Sequence, residues 1–266
     1  MLIASRWMIS VHEILILVSA VSLIALAVYF YNDIKDFDDD LKIAELGNKL
    51  KSLRPLGQGR ITKDLFTKFT VISALLGLLF ASLLNIWALV SLSLYLILGL
   101  LYSTEPFRLK KYFISKQLVI AFGCAIAVLA GGFAGGEISS LVIFMVSMDF
   151  AIAVGVSPVM DLPDLQGDKV MGVKTMPVII GPSMAVRFAI AVLGGIIVSS
   201  IIGYISLGLN IALPFLITLV AGAWIYTIMP LMRRYNDIAF TNIVCFKRVV
   251  PLYFIIQLVP LAGILL

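Results

Sequence analysis

The chain has 266 residues, of which 61% are hydrophobic and 13% charged, with a formal net charge of +5. Soluble domains are about half apolar and about a quarter charged, so a soluble globular fold is excluded and the sequence reads as a polytopic membrane protein. The positive balance calls for no nucleic-acid partner, because membrane topology and attraction to anionic lipid headgroups account for it.

Crossing a hydrocarbon core of about 30 Å takes roughly twenty helical residues. Apolar runs of about that length are predicted at 10–31, 69–84, 87–103, 117–134, 139–160, 184–206, 211–231 and 249–266. These eight continuous runs lack the short alternation of a membrane β-barrel, so the expected fold is an all-α integral membrane protein, one transmembrane domain over 1–266. The first run is long, has no small-residue cleavage pattern and leads straight into a cluster of acids, so it is expected to stay in the mature protein. Cys124 falls in a predicted span and Cys245 in a predicted loop, and they share no disulfide or thiolate–metal motif.

If the spans alternate, nineteen of the twenty Lys and Arg residues fall on one side and only Arg6 on the other. Basic residues collect on the cytoplasmic side, so loops 32–68, 104–116, 161–183 and 232–248 are predicted to be cytoplasmic. The connections on the other side are too short for a domain.

The acids are not scattered. Eight of fifteen lie in two clusters at the predicted cytoplasmic ends of spans, Asn32-Asp33-Ile34-Lys35-Asp36-Phe37-Asp38-Asp39-Asp40 and Asp161-Leu162-Pro163-Asp164-Leu165-Gln166-Gly167-Asp168. Acids at helix C-termini oppose the macrodipole, and grouped acids repel, so the pattern asks for a cation. On a helix, Asn32, Asp36 and Asp40 form a stripe at i, i+4 and i+8 with Asp33 beside it, while Asp38 and Asp39 are expected off it. Asp161, Asp164 and Asp168 would share a face if the helix of span 139–160 ran on. Oxygen donors without His or Cys suit a hard cation, and magnesium commonly binds a few carboxylates plus water and substrate phosphate.

Asp149 lies twelve residues before Asp161, about 18 Å deeper on a continuous helix. An ionisable group near the bilayer middle is a functional candidate, either touching a substrate's polar group or protonated and hydrogen-bonded between helices. A cation-coupled transporter is the alternative reading, but it needs acids near the midplane, and only Asp149 qualifies. Asn236-Asp237 has no aspartate three residues later and reads as loop.

These motifs, Asn-Asp-x-x-Asp-x-x-x-Asp at 32–40 and Asp-x-x-Asp-x-x-x-Asp at 161–168, resemble those of the UbiA superfamily of intramembrane prenyltransferases. Arg54-Pro55-Leu56 with Gly59-Arg60-Ile61, Tyr102-Ser103 with Pro106-Phe107-Arg108-Leu109-Lys110, and Gly167-Asp168-Lys169 with Gly172, Lys174-Thr175 and Pro177 are similar to segments of that family. The resemblance implies helices around a central cavity open to the cytoplasm. The family has nine helices, one of them ahead of the helix leading to the first motif; here only about ten residues precede that helix.

The implied activity is magnesium-dependent transfer of a prenyl group from an isoprenyl diphosphate to a lipophilic acceptor, a glycerol phosphate ether-lipid precursor or a quinone-type aromatic ring. The resemblance implies Mg2+ held by Asn32, Asp33, Asp36, Asp40, Asp161, Asp164 and Asp168, with Asp36 and Asp164 closest to the chemistry, and the depth of Asp149 makes it a third catalytic candidate. Arg54, Lys110 and Lys174 are the candidates to clamp the diphosphate. Tyr31, Tyr102 and Phe150 are candidates to face the prenyl cation, since aromatic faces attract positive charge.

Overall fold

A computed structural model describes residues 10–49 and 53–265. Arg6 and Lys51, counted above for orientation, lie outside the described residues. Among those described, the regular elements are all helical, and eight helical stretches are long and apolar enough to cross a membrane. The chain divides into two compact units, Met1–Val146 and Ser147–Leu266.

The first unit is built from α1 (Val11–Glu45), α2 (Lys63–Ser82), α3 (Ile86–Ser103) and α4 (Ser115–Ala134), and it includes the start of α5 (Ser140–Met160). The starts of α1, α2 and α3 have a local cause. The Ser10 side chain accepts from Glu13 N–H while Glu13 reaches back to Ser10 N–H, a capping box that covers two of the free donors of α1. Thr62 caps α2 and Asn85 caps α3, through Leu65 N–H and Ala88 N–H. Asn85 also donates to the Phe133 carbonyl, tying the start of α3 to the end of α4.

Helices in lipid gain no hydrophobic force from packing on one another, so small residues that admit close approach decide where they touch. A Cβ at Gly77 would stand 2.8 Å from Ile24 Cγ1, which is why α2 can lie directly against α1. Leu17, Ala20, Ile24, Ala81, Leu92 and Ala130 form the core of this unit, at the end remote from the acids.

The second unit holds the rest of α5, then α6 (Leu165–Val170), α7 (Met176–Ile180), α8 (Pro182–Leu207), α9 (Ala212–Ile228), α10 (Leu231–Arg234), α11 (Ile238–Asn242) and α12 (Val250–Leu265). Trp224 is fully buried in it, and Gly155 and Gly263 lie close against Val192 and Leu213.

Two boundaries differ from expectation. The helix of the first span does not stop near residue 31 but carries the whole first acidic cluster to Glu45. The last span begins at Ile238 rather than 249, because α11 joins α12 through a π-helical turn, Ile243–Val249, that includes Lys247 and Arg248. Cys245 therefore sits buried in helix, not in a loop. Charges near a helix end end a hydropathy run without ending the helix.

Candidate metal and diphosphate site

Because α1 continues unbroken past residue 40, its acids are sorted by helical angle. Asp33 and Asp40 are seven residues apart, about 20° on the wheel, and Asn32 and Asp36 about 40°. The structure follows that sorting. Arg54 Nη1 donates to Asp33 Oδ1 at 2.5 Å and to Asp40 Oδ2 at 2.7 Å, with both carboxylates almost fully buried. The Lys110 ammonium donates to Asp36 Oδ1 and, at 3.2 Å, to Asn32 Oδ1. The expected single stripe of Asn32, Asp36 and Asp40 is thus two pairs, each converging on one cation.

Asp39, expected off the stripe, lies seven residues from Asn32 and so only about 20° from it. It takes a 2.5 Å ion pair from Arg108, whose Nη2 also reaches Asp36 at 3.3 Å. Asp38 does point away, with its side chain 81% exposed. Arg108 belongs to a family-like segment, but nothing in local spacing shows that a residue 72 positions away meets Asp36. Its one sequence signal is Asp39 itself, an acid on the helix face that carries the motif.

The segment after α3 delivers these cations. Ser103 Oγ donates to Asn32 Oδ1 at 2.8 Å, and Tyr31 Oη lies 2.7 Å from Thr104 Oγ1, so the end of α3 is pinned to α1 at the level of the cluster. Arg108 has φ +30°, a left-handed backbone that costs a non-glycine residue about 1–3 kcal/mol and persists where surrounding contacts hold it. Asp36, Asp39 and Glu105 are those contacts. Lys111 donates to Glu105, which with Arg108 beside it holds that exposed carboxyl below its usual range. Arg108 Nε is buried without an acceptor among the described residues.

The two pairs open on different spaces. Asp33 and Asp40, with Arg54, line a crevice of about 10 Å³, room for one water at most. Asn32 instead stands at the rim of an apolar cavity of about 740 Å³ between α1, α3 and α4. Tyr102 lines this cavity beneath Lys110, whose ammonium is 5.8 Å from the ring centroid. Tyr29 and Tyr95 line it too, and sequence reasoning missed both. Tyr31 is not among the lining residues: it bonds Thr104 and carries Lys35 over its ring at 5.4 Å.

The second cluster, in the other unit, is built differently. The expectation that α5 continues through it fails: α5 ends at Met160, Leu162–Asp164 is a 3-10 turn, and α6 begins at Leu165. Pro163 is the physical reason, since it has no N–H to give the Val159 carbonyl four residues earlier. Cys245 Sγ takes up that carbonyl at 3.4 Å. Asp161 and Asp168 are buried and Asp164 is half-buried. Gly172, at φ +68°, turns the chain so that Thr175 Oγ1 donates to Asp168 Oδ2 at 3.1 Å. Lys174, in the same turn, is exposed, and Phe150 is half-buried. Asp149 is buried and accepts a hydrogen bond from Gln257 Nε2.

The donor set fits a hard divalent cation. In the first unit, two pairs of side-chain oxygens each already surround a positive nitrogen. Among the described residues no three His, Cys, Asp or Glu side chains are close enough to hold a metal by themselves.

Residues 1–241 match the model of the UbiA prenyltransferase family. The chain belongs to that family. Its members transfer prenyl groups, and this chain is a prenyltransferase, which sets the transporter reading aside. It is 30% identical over 217 residues to a digeranylgeranylglyceryl phosphate synthase from Sulfurisphaera tokodaii, covering 79% of this chain and 72% of that protein. It shares its fold with a UbiA homolog from Aeropyrum pernix K1 (TM-score 0.73, 21% identity, 98% of this chain and 91% of the other). It shares it also with a UbiA homolog from Archaeoglobus fulgidus bound to DMAPP and Mg2+ (TM-score 0.66, 19% identity, 96% and 87%).

Proposed function

We propose that this UbiA-family chain transfers a prenyl group, with magnesium, from an isoprenyl diphosphate to a glycerol phosphate that already carries a prenyl ether, at a site facing the cytoplasm. The observation that carries this reading is the convergence of Asn32 and Asp36 on a single cationic nitrogen at the rim of the apolar cavity. A charged headgroup and an oily chain need adjoining seats of those two kinds. The similarity to a digeranylgeranylglyceryl phosphate synthase supports the glycerol phosphate acceptor, and the basic residues beside both clusters support the cytoplasmic side.

The carboxylates cannot receive a diphosphate directly, since both are anionic. Asn32, Asp33, Asp36 and Asp40 with Asp161, Asp164 and Asp168 are the proposed magnesium ligands. Bound magnesium would supply charge neutralisation that makes diphosphate a competent leaving group. Lys110, Arg54 and Lys174, joined by Arg108 with its spare buried Nε–H, donate to the phosphate oxygens. The allylic C–O bond breaks with its electron pair leaving on diphosphate. A new C–O bond then forms to the acceptor hydroxyl oxygen, which loses its proton to the released diphosphate. The Tyr102 face stabilises positive charge on the prenyl carbon, and Phe150 is proposed to support it. Asp149, held by Gln257, is the proposed polar contact for the acceptor.

Purified protein incubated with magnesium, radiolabelled geranylgeranyl diphosphate and a panel of geranylgeranylglyceryl phosphate and quinone-precursor rings tests the proposal. The expected product is the doubly prenylated glycerol phosphate. Product only from an aromatic ring would overturn the acceptor, and no diphosphate release with any acceptor would overturn the reaction.

A further inference from the structure

We infer that Tyr95, seated on Gly123, is the floor of the apolar cavity and sets the length of prenyl chain that the enzyme accepts. The inference rests on the proposal that the cavity holds the donor's prenyl chain.

Three helices line the cavity, which is open on one side where Leu26 and Tyr29 are exposed, and on each helix the lining stops short of the core of this unit. On α1 the lining runs from Asn32 at the rim down to Ser22, ten residues or about 15 Å. On α3 it runs from Tyr102 to Tyr95, about 10 Å, and on α4 it ends at Gly123 and Cys124. Beyond the lining the same helices present Ala20, Leu92 and Ala130, all fully buried, and Tyr95 packs against the core they form. The cavity therefore ends where the core begins.

At that level Ser22, Gly123 and Cys124 are small, and Tyr95 carries the large ring. A Cβ built on Gly123 would stand 2.9 Å from Tyr95 Cε2, closer than side chains tolerate. The ring thus spans from α3 to the backbone of α4, over the space that any other residue at 123 would fill. On this reading the ring closes the bottom of the cavity, and the missing side chain at 123 is what lets it approach the backbone of α4 so closely.

Two substitutions move the floor in opposite directions. Tyr95→Ala removes the ring and deepens the cavity. Gly123→Ala adds a methyl against the ring and pushes it off α4 into the space between the helices. The contact is with the far end of a side chain, so the ring can give way while the helices stay in place. A single methylene too many in an apolar pocket changes selectivity by roughly 10- to 200-fold, so a shift of a whole isoprene unit is easily read.

The experiment measures the affinities of dimethylallyl, geranyl, farnesyl and geranylgeranyl diphosphate for the full-length protein with magnesium, by competition with one radiolabelled donor. Relative to wild type, Tyr95→Ala is expected to raise the preference for the longest donor over the next shorter one by about tenfold. Gly123→Ala is expected to lower it. Unchanged preference in both variants, or a shift of both in one direction, would overturn the floor assignment while leaving the donor reading intact. No donor binding by wild type would overturn the donor reading and this inference with it. If Tyr95→Ala is not recovered folded, the direction of the Gly123→Ala shift decides.

Discussion

The two acidic motifs hold similar residues by different means. The first lies on an uninterrupted helix, where periodicity alone sorts the side chains, and cations from loops on either side of α2 and α3 come to meet them. The second lies where a proline breaks the helix, and local devices hold it: a 3-10 turn, a thiol covering a freed carbonyl, a left-handed glycine and a threonine returning to Asp168. Long-range ion pairs should make the first motif sensitive to changes far away in sequence. The second should respond chiefly to its own neighbours.

The strongest way to probe that contrast is to remove one acid from each motif. Asp36→Ala and Asp164→Ala should each lower kcat/KM by about 10²- to 10³-fold, the scale seen when a preorganised group at a site of developing charge is lost. Steady-state assays of both would show whether the motifs contribute equally; near-normal turnover in either would remove that motif from the site.

Next comes Arg54→Ala, which leaves Asp33 and Asp40 buried without their shared guanidinium. Breaking a buried pair costs about 3–5 kcal/mol, and Arg54 is 26% exposed, so about 3 kcal/mol is expected by denaturant unfolding in detergent. Neutralising Asp33 in the same background should recover part of the loss. In the second unit, Thr175→Val removes one hydrogen bond from buried Asp168 and should cost about 1–3 kcal/mol. The smallest effect is expected at Gly172→Ala. A Cβ there meets nothing within 4 Å, so only the left-handed backbone opposes it, at about 1 kcal/mol.

The same contrast explains what the sequence revealed. Helical counting placed Asn32 beside Asp36 because α1 really is continuous. Asp39 escapes the i, i+4, i+8 stripe of Asn32, Asp36 and Asp40 because it stands seven residues from Asn32, a spacing that also returns to nearly the same helix face. Helical counting failed for Asp161, Asp164 and Asp168 because Pro163 breaks the count that it assumes. Arg108, Tyr29 and Tyr95 were not legible, since their significance depends on which helices pack together. The eight spans were legible from hydropathy, whereas the start of the last one was hidden by Lys247 and Arg248, charges that the helix carries.

The central claim is a cation-loaded diphosphate seat at Asn32 and Asp36. Equilibrium binding of radiolabelled geranylgeranyl diphosphate, with magnesium and with a chelator, tests it most directly when wild type and Asp36→Ala are compared. Saturable binding that needs magnesium in wild type and is lost in Asp36→Ala is the predicted result. Binding of equal strength in the chelator, or in Asp36→Ala with magnesium, would contradict it.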